Sequence, residues 1–318
     1  MAWRTIGKRV GELIAVLLIV SFGTFMLVSL MPGDPAVSVL GEGRSPAEYA
    51  AVRADLGLND PLFTRYLHWL GNAVTGNLGT SITPPYVDVA DRIKGALPVS
   101  VELAVLGMAM ALLISIPLAM ISAYRAGGRL DRAISAGTFG ILSVPSFLAG
   151  LLIIMVFANQ LGWFPRAQWG RLSDGIGQNL YHAFLPALTI ALAETAMFTR
   201  VLRNDLITTL NEDYILAAKA KGMGTVHILF SDALRPSSFS LVTLMGISLG
   251  RLIGSTIIVE YLFALPGMGS LVIGAASTGN FVMVQGAVLV IAVIYVAVNT
   301  VIDLSYGYLD PRTRRAHV

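Results

Sequence analysis

Six long apolar runs constrain this sequence more than any other feature. They are Val10–Met31, Leu97–Ala123, Ile134–Phe157, Leu185–Leu202, Phe239–Val259 and Phe281–Leu304. About 20 apolar residues in a helix cross the hydrocarbon core of a bilayer, and lipid offers the backbone no hydrogen-bond partners. None of the runs alternates polar and apolar residues as the strands of a membrane barrel do. The sequence therefore predicts an all-α integral membrane protein with six transmembrane helices.

Composition supports that class. Apolar residues make up 55% of the chain and charged residues 13%, whereas about a quarter of the residues in a soluble domain are charged. The lack of cysteine excludes disulfides, thiolate metal ligands and cysteine nucleophiles. The first run is too long for the core of a secretory signal and has no small-x-small cleavage site. We therefore expect it to stay in the protein as an anchor.

The distribution of lysine and arginine predicts the orientation. Fourteen of these residues lie in the two tails and in and around the connections that follow the second and fourth runs, against seven on the opposite side. Basic residues concentrate on the cytoplasmic side of membrane proteins. Both termini are therefore expected in the cytoplasm, and the long loop Pro32–Ala96 is expected outside it.

This outer loop carries helix signals of its own. Ser45-Pro46-Ala47-Glu48 is a capping box with proline at the first helical position, and Gly57 ends the helix that it opens. Asp60-Pro61 opens a second helix with an apolar stripe, which favours packing on neighbouring protein over a position in the membrane interface. The residues of the stripe are Leu62, Phe63, Tyr66, Leu67 and Leu70.

A polar island, Asn211–Pro236, lies between the fourth and fifth runs and is predicted to be cytoplasmic. Asn211 is a suitable N-cap for a first short helix. Gly222 and Gly224 end that helix, because glycine adopts the left-handed turn that other residues resist. The helix offers a compact surface with basic residues at its end, made by Leu216, Ala217, Ala218, Lys219 and Lys221.

The second half of the island predicts another short helix, Val226–Leu234. Thr225 caps its start, and Pro236 closes it. Two short helices joined at a glycine turn on the surface of a membrane protein indicate a docking element.

Small residues recur in the fifth run. Gly246, Gly250 and Gly254 are spaced by four, so they share one helix face and let another helix approach closely. The glycine face could pack against another helix of this chain. Alternatively, it could form a subunit interface or line the pore. The sequence favours neither interpretation.

A charge lies beside this face. Arg251 is in the middle of the run, where insertion of a charge costs about 3 kcal/mol. An ion pair with Glu194 or Glu102 would offset that cost and is the favoured interpretation. The alternative is a cavity position that meets an anionic part of a solute.

Signatures of catalysis do not appear in the sequence. It has no G-x-x-x-x-G-K-[ST] phosphate loop, so the chain is not expected to bind or hydrolyse ATP by itself. No nucleophile-elbow sequence supports a serine hydrolase. The histidines are scattered, without metal-ligand spacing, and are predicted to be surface or interface residues: His68, His182, His227 and His317.

The island resembles the cytoplasmic loop of permeases from binding-protein-dependent ABC importers, whose motif is Glu-Ala-Ala, three residues, Gly, nine residues, Ile-x-Leu-Pro. Leu216-Ala217-Ala218 stands at Glu-Ala-Ala, Gly222 is the glycine, and Leu234 is the leucine. Asp232 replaces the isoleucine and proline comes one place late at Pro236, departures of the kind seen in the peptide-importing branch. The resemblance makes this segment, with Lys219, Met223 and Gly224, the ATPase-coupling loop.

Other segments resemble the "B"-type permease subunit of dipeptide and oligopeptide importers, and in order they cover essentially the whole chain. They are Pro32-Gly33-Asp34-Pro35, Leu56-Gly57-Leu58, Pro61-Leu62, Gly76-Asn77-Leu78-Gly79-Thr80-Ser81, Leu97-Pro98, Glu260 with Phe263, Pro266-Gly267-Met268-Gly269, Asp303, Tyr306 and Asp310-Pro311-Arg312. Glu260, Pro266, Gly267 and Gly269 fall in an outer loop or gate on this resemblance. Arg251 departs from the family, where a small or apolar residue is expected.

The resemblance implies the type I permease fold of ABC importers in a bacterial inner membrane. Residues 1–96 would form an anchor with a structured outer loop, and residues 97–318 a five-helix core with the coupling loop 211–236. The implied partners are a second homologous permease in a heterodimer, two ATP-binding cassette subunits, an extracytoplasmic solute-binding protein, membrane lipid and a short peptide as substrate. No cofactor, metal or nucleic acid is expected on this chain, while the ATPase subunits would use ATP and Mg²⁺.

Two other functions stay open at this stage. Permeases for nickel chelates, glutathione or another small solute look alike within this family. A self-sufficient channel or ion-coupled carrier would instead show internal repeats and broken helices. The sequence shows no repeat, and the residues that could interrupt its runs are Pro117, Pro145 and Pro186.

Overall fold

The protein is described by a computed structural model that covers residues 2–30 and 33–309. Helices make up most of this part, and its β-structure is limited to one isolated bridge between Thr80 and Asp88. The all-α class is therefore confirmed. Pro32 and the segment Asp310-Pro311-Arg312, which contributed to the resemblance, lie outside the described residues.

Thirteen α-helices follow one another through the described residues. They are α1 (Ala2–Ser29), α2 (Pro35–Leu40), α3 (Pro46–Asp55), α4 (Leu62–Val74), α5 (Val89–Tyr124), α6 (Arg129–Ser143), α7 (Ser146–Ile153), α8 (Ile176–Leu210), α9 (Asp213–Ala220), α10 (Thr225–His227), α11 (Leu234–Leu262), α12 (Met268–Ser277) and α13 (Phe281–Leu309). Helix α7 continues as a π-helix over Ile154–Gln160, and a second π-helix, Ile228–Ala233, joins α10 to α11. A 3₁₀ turn, Leu172–Asp174, precedes α8.

Three of the described helices are long and apolar enough to cross a membrane: α5, α8 and the part of α13 from Phe281 to Ile302. Two bent pairs raise the number to five, namely α6 with α7 and its π-helix, bent by 104°, and Thr225–Leu252 with Thr256–Leu262. The apolar part of α1, Leu13–Ser29, is a shorter apolar helix. The multi-pass class stands, while the count of six spans and the cytoplasmic termini remain predictions.

The chain forms two compact units. The first comprises Met1–Ser100 and Pro266–Val298, and the second Val101–Leu265 and Asn299–Val318. The boundary proposed between residues 96 and 97 remains a prediction.

In the first unit, the outer loop packs on α1 through Tyr66 of α4. Tyr66 is 5% exposed, its ring meets the rings of Phe22 and Phe25 edge-on, and its hydroxyl lies 2.8 Å from Ser21 Oγ. The stripe of α4 therefore contacts protein at Tyr66, whereas Phe63 and Leu67 stay exposed.

The predicted capping box of α3 is confirmed. Ser45 Oγ accepts from the Glu48 backbone N–H at 3.3 Å, and the Glu48 carboxylate accepts from the Ser45 N–H at 2.8 Å. The helix ends just before Gly57, which has a φ of +64° as a left-handed turn requires. Local sequence signals thus determine this helix at both ends.

In the second unit, α8 is the central helix, and α5, α6, α7 and α11 pack around it. A Cβ at Gly107 of α5 would lie 2.8 Å from the Ile190 side chain of α8, so the missing side chain permits the close approach. A Cβ at Gly150 of α7 would likewise meet Thr189 of α8 and Leu262 of α11. These contacts fix the helices from which the polar island extends.

Candidate functional site

The first helix of the polar island is α9, which packs on the bundle with one edge only. Ile215 is fully buried and Ala218 is 8% exposed. The side chains of Leu216, Ala217 and Lys219 point outward and are exposed. The segment that resembles the coupling loop therefore presents its leucine, one alanine and its lysine at the surface.

The predicted cap of this helix is wrong by one residue. Glu212 is the N-cap of α9, without a side-chain cap hydrogen bond, and Asn211 is the C-cap of α8. The Asn211 side chain donates to the carbonyl oxygen of Ile207 at 2.8 Å. Asn211 satisfies an end carbonyl of α8 because this helix runs on to Leu210, beyond the apolar run that located it in the sequence.

A single left-handed glycine makes the turn after α9. Gly222 has a φ of +78°, its N–H donates to the Lys219 carbonyl at 3.0 Å, and the Met223 N–H donates to the Ala218 carbonyl at 3.2 Å. These are the hydrogen bonds of a Schellman cap. Gly224 has an extended backbone with a φ of −67° and is the N-cap of α10, so its predicted role in ending α9 is wrong.

The second helix of the island does not end at Pro236. It begins with α10, widens into the π-helix Ile228–Ala233 and continues directly into α11. Thr225 makes no side-chain cap, since the N-cap is Gly224. Pro236 is the third residue of α11, which follows the π-helix directly, so the helix continues through the proline.

Tyr214 ties the two helices of the island together. Its hydroxyl donates to the carbonyl oxygen of Asp232 at 3.3 Å. At the other end of the island, Ser237 Oγ donates to Thr209 Oγ1 of α8 at 2.8 Å. Hydrogen bonds thus join the two helices of the island to each other and the island to α8.

The island exposes four large apolar side chains along its length. They are Leu216 (52% exposed), Met223 (43%), Val226 (70%) and Phe230 (59%). We call these four residues the docking surface. Two exposed lysines, Lys219 and Lys221, lie at the end of α9 beside it, and Leu234 is half-buried at the start of α11. Large apolar side chains that are exposed together in this way mark an interaction site.

The polar island is connected to α5 by a direct contact at Thr225. The hydroxyl of Tyr124, the last residue of α5, lies 3.1 Å from Thr225 Oγ1. Two residues earlier on α5, Ser122 donates to Asp131 of α6 at 2.5 Å. Two hydrogen bonds, separated by less than a turn of α5, therefore lead from the island into the helical bundle.

Asp131 and Arg203 form the centre of this path. Arg203 of α8 donates through Nε to one carboxylate oxygen of Asp131 at 2.6 Å and through Nη2 to the other at 2.7 Å. The Gly127 N–H and Ser122 complete four hydrogen bonds to Asp131, which is 3% exposed. The pair joins three helices, and bidentate geometry is the strong form of such a contact.

Sequence reasoning missed this pair. Asp131 is an acidic residue in an otherwise basic connection, and that contrast is the only signal that could have indicated it. Its partner lies 72 residues away, so one sequence could not identify it.

In the fifth run, the structure brings Arg251 together with Glu194. Arg251 Nη2 lies 2.5 Å from Glu194 Oε1, and Ser248 Oγ donates to Glu194 Oε2 at 2.7 Å. Glu194 is 4% exposed at its side chain, whereas Arg251 is 60% exposed. Of the two carboxylates considered as partners, Arg251 therefore pairs with Glu194 of α8 rather than with Glu102 of α5.

The three glycines of this run have different surroundings. Gly246 and Gly250 are buried, and a Cβ at Gly250 would lie 2.5 Å from Asn299 Oδ1 of α13. Gly254 is exposed and has open space where a Cβ would be. Gly250 therefore serves close packing within this chain, and Gly254 leaves its part of the face uncovered.

The predicted outer residues lie around the end of α11 and the start of α12. Glu260 is fully buried in the last turn of α11. Gly267 is the N-cap of α12, Gly269 is buried in its first turn, and Pro266 precedes the cap. Within the described residues, no group of three or more histidines and carboxylates could hold a metal ion.

Two family profiles match the chain. The profile described as "Binding-protein-dependent transport system inner membrane component" matches residues 115–315. The profile of the N-terminal part of such membrane components matches residues 2–85. Together they extend over both units and include the island.

Curated relatives match over nearly their full length. A probable peptide ABC transporter permease of Sinorhizobium fredii is 32% identical over 96% of this chain and 98% of its own. A putative peptide transport system permease of Brucella abortus is 34% identical over 96% and 98%. An oligopeptide transport system permease of Bacillus subtilis is 34% identical over 94% and 95%.

Proposed function

The chain belongs to the family of binding-protein-dependent transport system inner membrane components, and on that basis we propose that it is the permease subunit of an ATP-driven importer for short peptides. It is a multi-pass protein of the bacterial inner membrane and is not catalytic by itself. In the importer it would form half of the translocation pathway. Conformational changes of a partner ATPase would be transmitted to its helices.

The docking surface is the observation that carries this proposal. Leu216, Met223, Val226 and Phe230 are exposed on a segment that is otherwise tied down by hydrogen bonds. Short helices with exposed apolar side chains fit the helix-in-groove mode of recognition. The groove would belong to an ATP-binding cassette subunit, because the sequence has no phosphate loop of its own.

The remaining partners follow from the same proposal. A second homologous permease would complete the pathway as a heterodimer, two ATPase subunits would bind the cytoplasmic face, and an extracytoplasmic protein would deliver the solute. ATP and Mg²⁺ would bind the ATPase subunits. The proposed substrate class rests on the names of the relatives, which specify peptides.

The hydrogen-bond path beneath the island supplies a means of coupling. Closure of the ATPase pair on ATP would move the docked island, and the Tyr124–Thr225 contact and the Asp131–Arg203 pair would transmit the displacement to α5, α6 and α8. ATP shifts the access equilibrium only as far as it stabilises one state more than the other. A rigid link is therefore required between the docking surface and the spans.

An arginine placed on the exposed face of α9 tests the proposal. Ala217→Arg should abolish co-purification of the ATPase subunit and peptide uptake into proteoliposomes, while the chain is still inserted. The matched control is Ala50→Arg on exposed α3 of the outer loop, which adds the same charge and should leave ATPase co-purification unchanged. ATPase binding and uptake that survive Ala217→Arg would refute the docking role.

The uptake assay also tests the solute. Radiolabelled trialanine should accumulate in proteoliposomes only when the solute-binding protein and ATP are present. Accumulation of a nickel chelate or of glutathione instead would assign the protein to another branch of the same family.

A further inference from the structure

A cavity of about 680 Å³ lies inside the first unit, among the outer loop, the end of α1 and the start of α13. Its volume falls within the range of 300–1,000 Å³ that is usual for small-molecule sites. The proposed coupling at the island does not involve it, and neither do the Asp131–Arg203 and Glu194–Arg251 pairs of the second unit. Its lining residues indicate the chemistry of a ligand.

The charged groups of the lining are balanced. The described lining contains two carboxylates, Asp34 and Asp60, two guanidinium groups, Arg53 and Arg65, and the imidazole of His68. A cavity that selected phosphate or an anionic lipid would carry an excess of positive charge. Equal numbers of the two signs instead favour a ligand that carries both charges.

One of the two carboxylates and one of the two guanidinium groups are available to a ligand. Asp34 and Arg53 bind each other. Asp60 and Arg65 have no ion-pair partner among the described side chains. The Arg65 guanidinium lies 5.8 Å from the centre of the Phe25 ring, which also lines the cavity, so this cation is held at the cavity wall.

The rest of the wall includes carboxamides and aromatic rings. Asn59, Asn72, Asn77 and Gln285 each offer a donor and an acceptor, as a peptide bond does. Asn77 uses its oxygen to accept from the Gly79 N–H at 3.0 Å, which leaves its NH₂ group as a donor. Apolar area for small side chains comes from Phe25, Trp69 and Phe281.

We propose that this cavity binds a short zwitterionic peptide, with its ammonium group at Asp60 and its carboxylate at Arg65. The choice of peptide among zwitterions rests on the proposed function, whereas the requirement for both charges rests on the cavity. The site would hold solute on the outer side of the permease, apart from the solute-binding protein.

Equilibrium binding of trialanine to the full-length chain in phosphatidylcholine nanodiscs tests this proposal, without solute-binding protein or ATP. Two end-blocked probes, N-acetyl-trialanine and trialanine amide, remove one charge each. Asp60→Asn should weaken trialanine about fivefold and leave N-acetyl-trialanine unchanged, as expected for a partly exposed ion pair. Arg65→Gln should weaken trialanine by a similar factor and leave trialanine amide unchanged.

Matched controls are Asp55→Asn and Arg44→Gln, which remove the same charges from exposed outer-loop positions outside the cavity lining. Both should bind trialanine like the wild type. Three outcomes would overturn the proposal: no binding of trialanine, equal losses for free and blocked peptides, or displacement of trialanine when the nanodiscs contain phosphatidylglycerol. Because the assay contains no ATP, its failure would leave ATP-driven peptide uptake, the test of the proposed function, unaffected.

Discussion

The Tyr214 hydroxyl donates to the carbonyl oxygen of Asp232, and this bond joins the two helices of the island. Asp232 lies four residues before Pro236, which has no N–H to donate to that carbonyl. Tyr214 therefore offers a donor in place of the one that the proline lacks. Desolvation, with the nearby charges of Glu212 and Asp232, raises the pKa of Tyr214 and keeps this donor protonated. The island is consequently expected to move as one piece.

The glycine turn of the island should be intolerant of any side chain. Gly222→Ala places a Cβ on a residue with a φ of +78°, which costs about 1–2 kcal/mol although space is available. We expect solute-stimulated ATP hydrolysis and peptide uptake to fall several-fold in proteoliposomes while the amount of inserted protein stays the same.

Gly224→Ala is the control for this change, because Gly224 has a φ of −67° that any residue adopts and open space around it. It should retain the wild-type rates. Equal effects of the two substitutions would show that backbone strain at the turn does not govern coupling.

Loss of Asp131 should destabilise the second unit. Asp131→Ala leaves the Arg203 guanidinium, 22% exposed, without its carboxylate, and breaking a buried pair in this way costs roughly 3 kcal/mol. Thermal unfolding of the purified protein in detergent should show a lower Tm. The double substitution Asp131→Ala/Arg203→Ala should cost less than the sum of the single ones.

An exposed ion pair provides the comparison for the substitutions of Asp131 and Arg203. Lys94 and Asp91 lie 3.1 Å apart with side chains that are 76% and 72% exposed, so Asp91→Ala should change stability by about 0.5 kcal/mol at most. Additive effects of the Asp131 and Arg203 substitutions would contradict the proposed interaction between them.

Arg251 is predicted to act through Glu194 rather than through the solute. Arg251→Leu removes the counter-charge of the buried Glu194 carboxylate and leaves it the hydrogen bond from Ser248, so we expect the yield of assembled complex to fall. Adding Glu194→Gln should partly restore assembly, because a neutral amide still accepts from Ser248. Normal assembly of Arg251→Leu with a changed preference among di- and tripeptides would favour the cavity position instead.

Acid should weaken the Asp34–Arg53 contact. The hydrogen bond from Arg53, helped by the Ala36 N–H, lowers the pKa of Asp34 from its usual 3.8. A carboxylate with a lowered pKa in the folded state contributes stability fully above its unfolded pKa and loses it as pH falls through the folded value. The difference in Tm between wild type and Asp34→Asn should thus be constant from about pH 7 to pH 5 and shrink as the pH falls below the usual pKa of 3.8. A difference that persists at the lowest pH would show that the charge of Asp34 is not its source.

Helix positions were largely predictable because they follow from patterns along the chain. Each predicted span falls in a described helix or in a pair of helices separated by a bend, apart from the end of the first span, where Leu30 follows α1 and Met31 lies outside the described residues. The ends of α3 follow from Ser45, Glu48 and Gly57. The bends were not predictable. Pro145 lies where α6 and α7 meet, yet Pro186 lies inside the continuous helix α8. Whether a proline breaks a helix depends on whether neighbouring groups can supply the hydrogen bond that it removes from the backbone.

The island was predictable in its location and turn but not in its hydrogen bonds. The left-handed turn was predictable from Gly222 alone, because a glycine adopts a positive φ whatever surrounds it. The partners of Tyr214, Asp131 and Glu194 are set by packing between helices that are distant in sequence, and no spacing rule selects them. The cavity of the first unit was missed for the same reason.

The Glu194–Arg251 pair also has a consequence for biogenesis. Glu194 belongs to α8 and Arg251 to α11, so ribosomes synthesise the carboxylate 57 residues before the arginine. The later helix would then enter a bilayer in which its counter-charge is already present, and insertion would not have to overcome a lone cation at membrane depth. If the two helices were translated in the opposite order, Arg251 would enter the bilayer before its counter-charge. The order of these helices in the gene should therefore itself favour correct insertion.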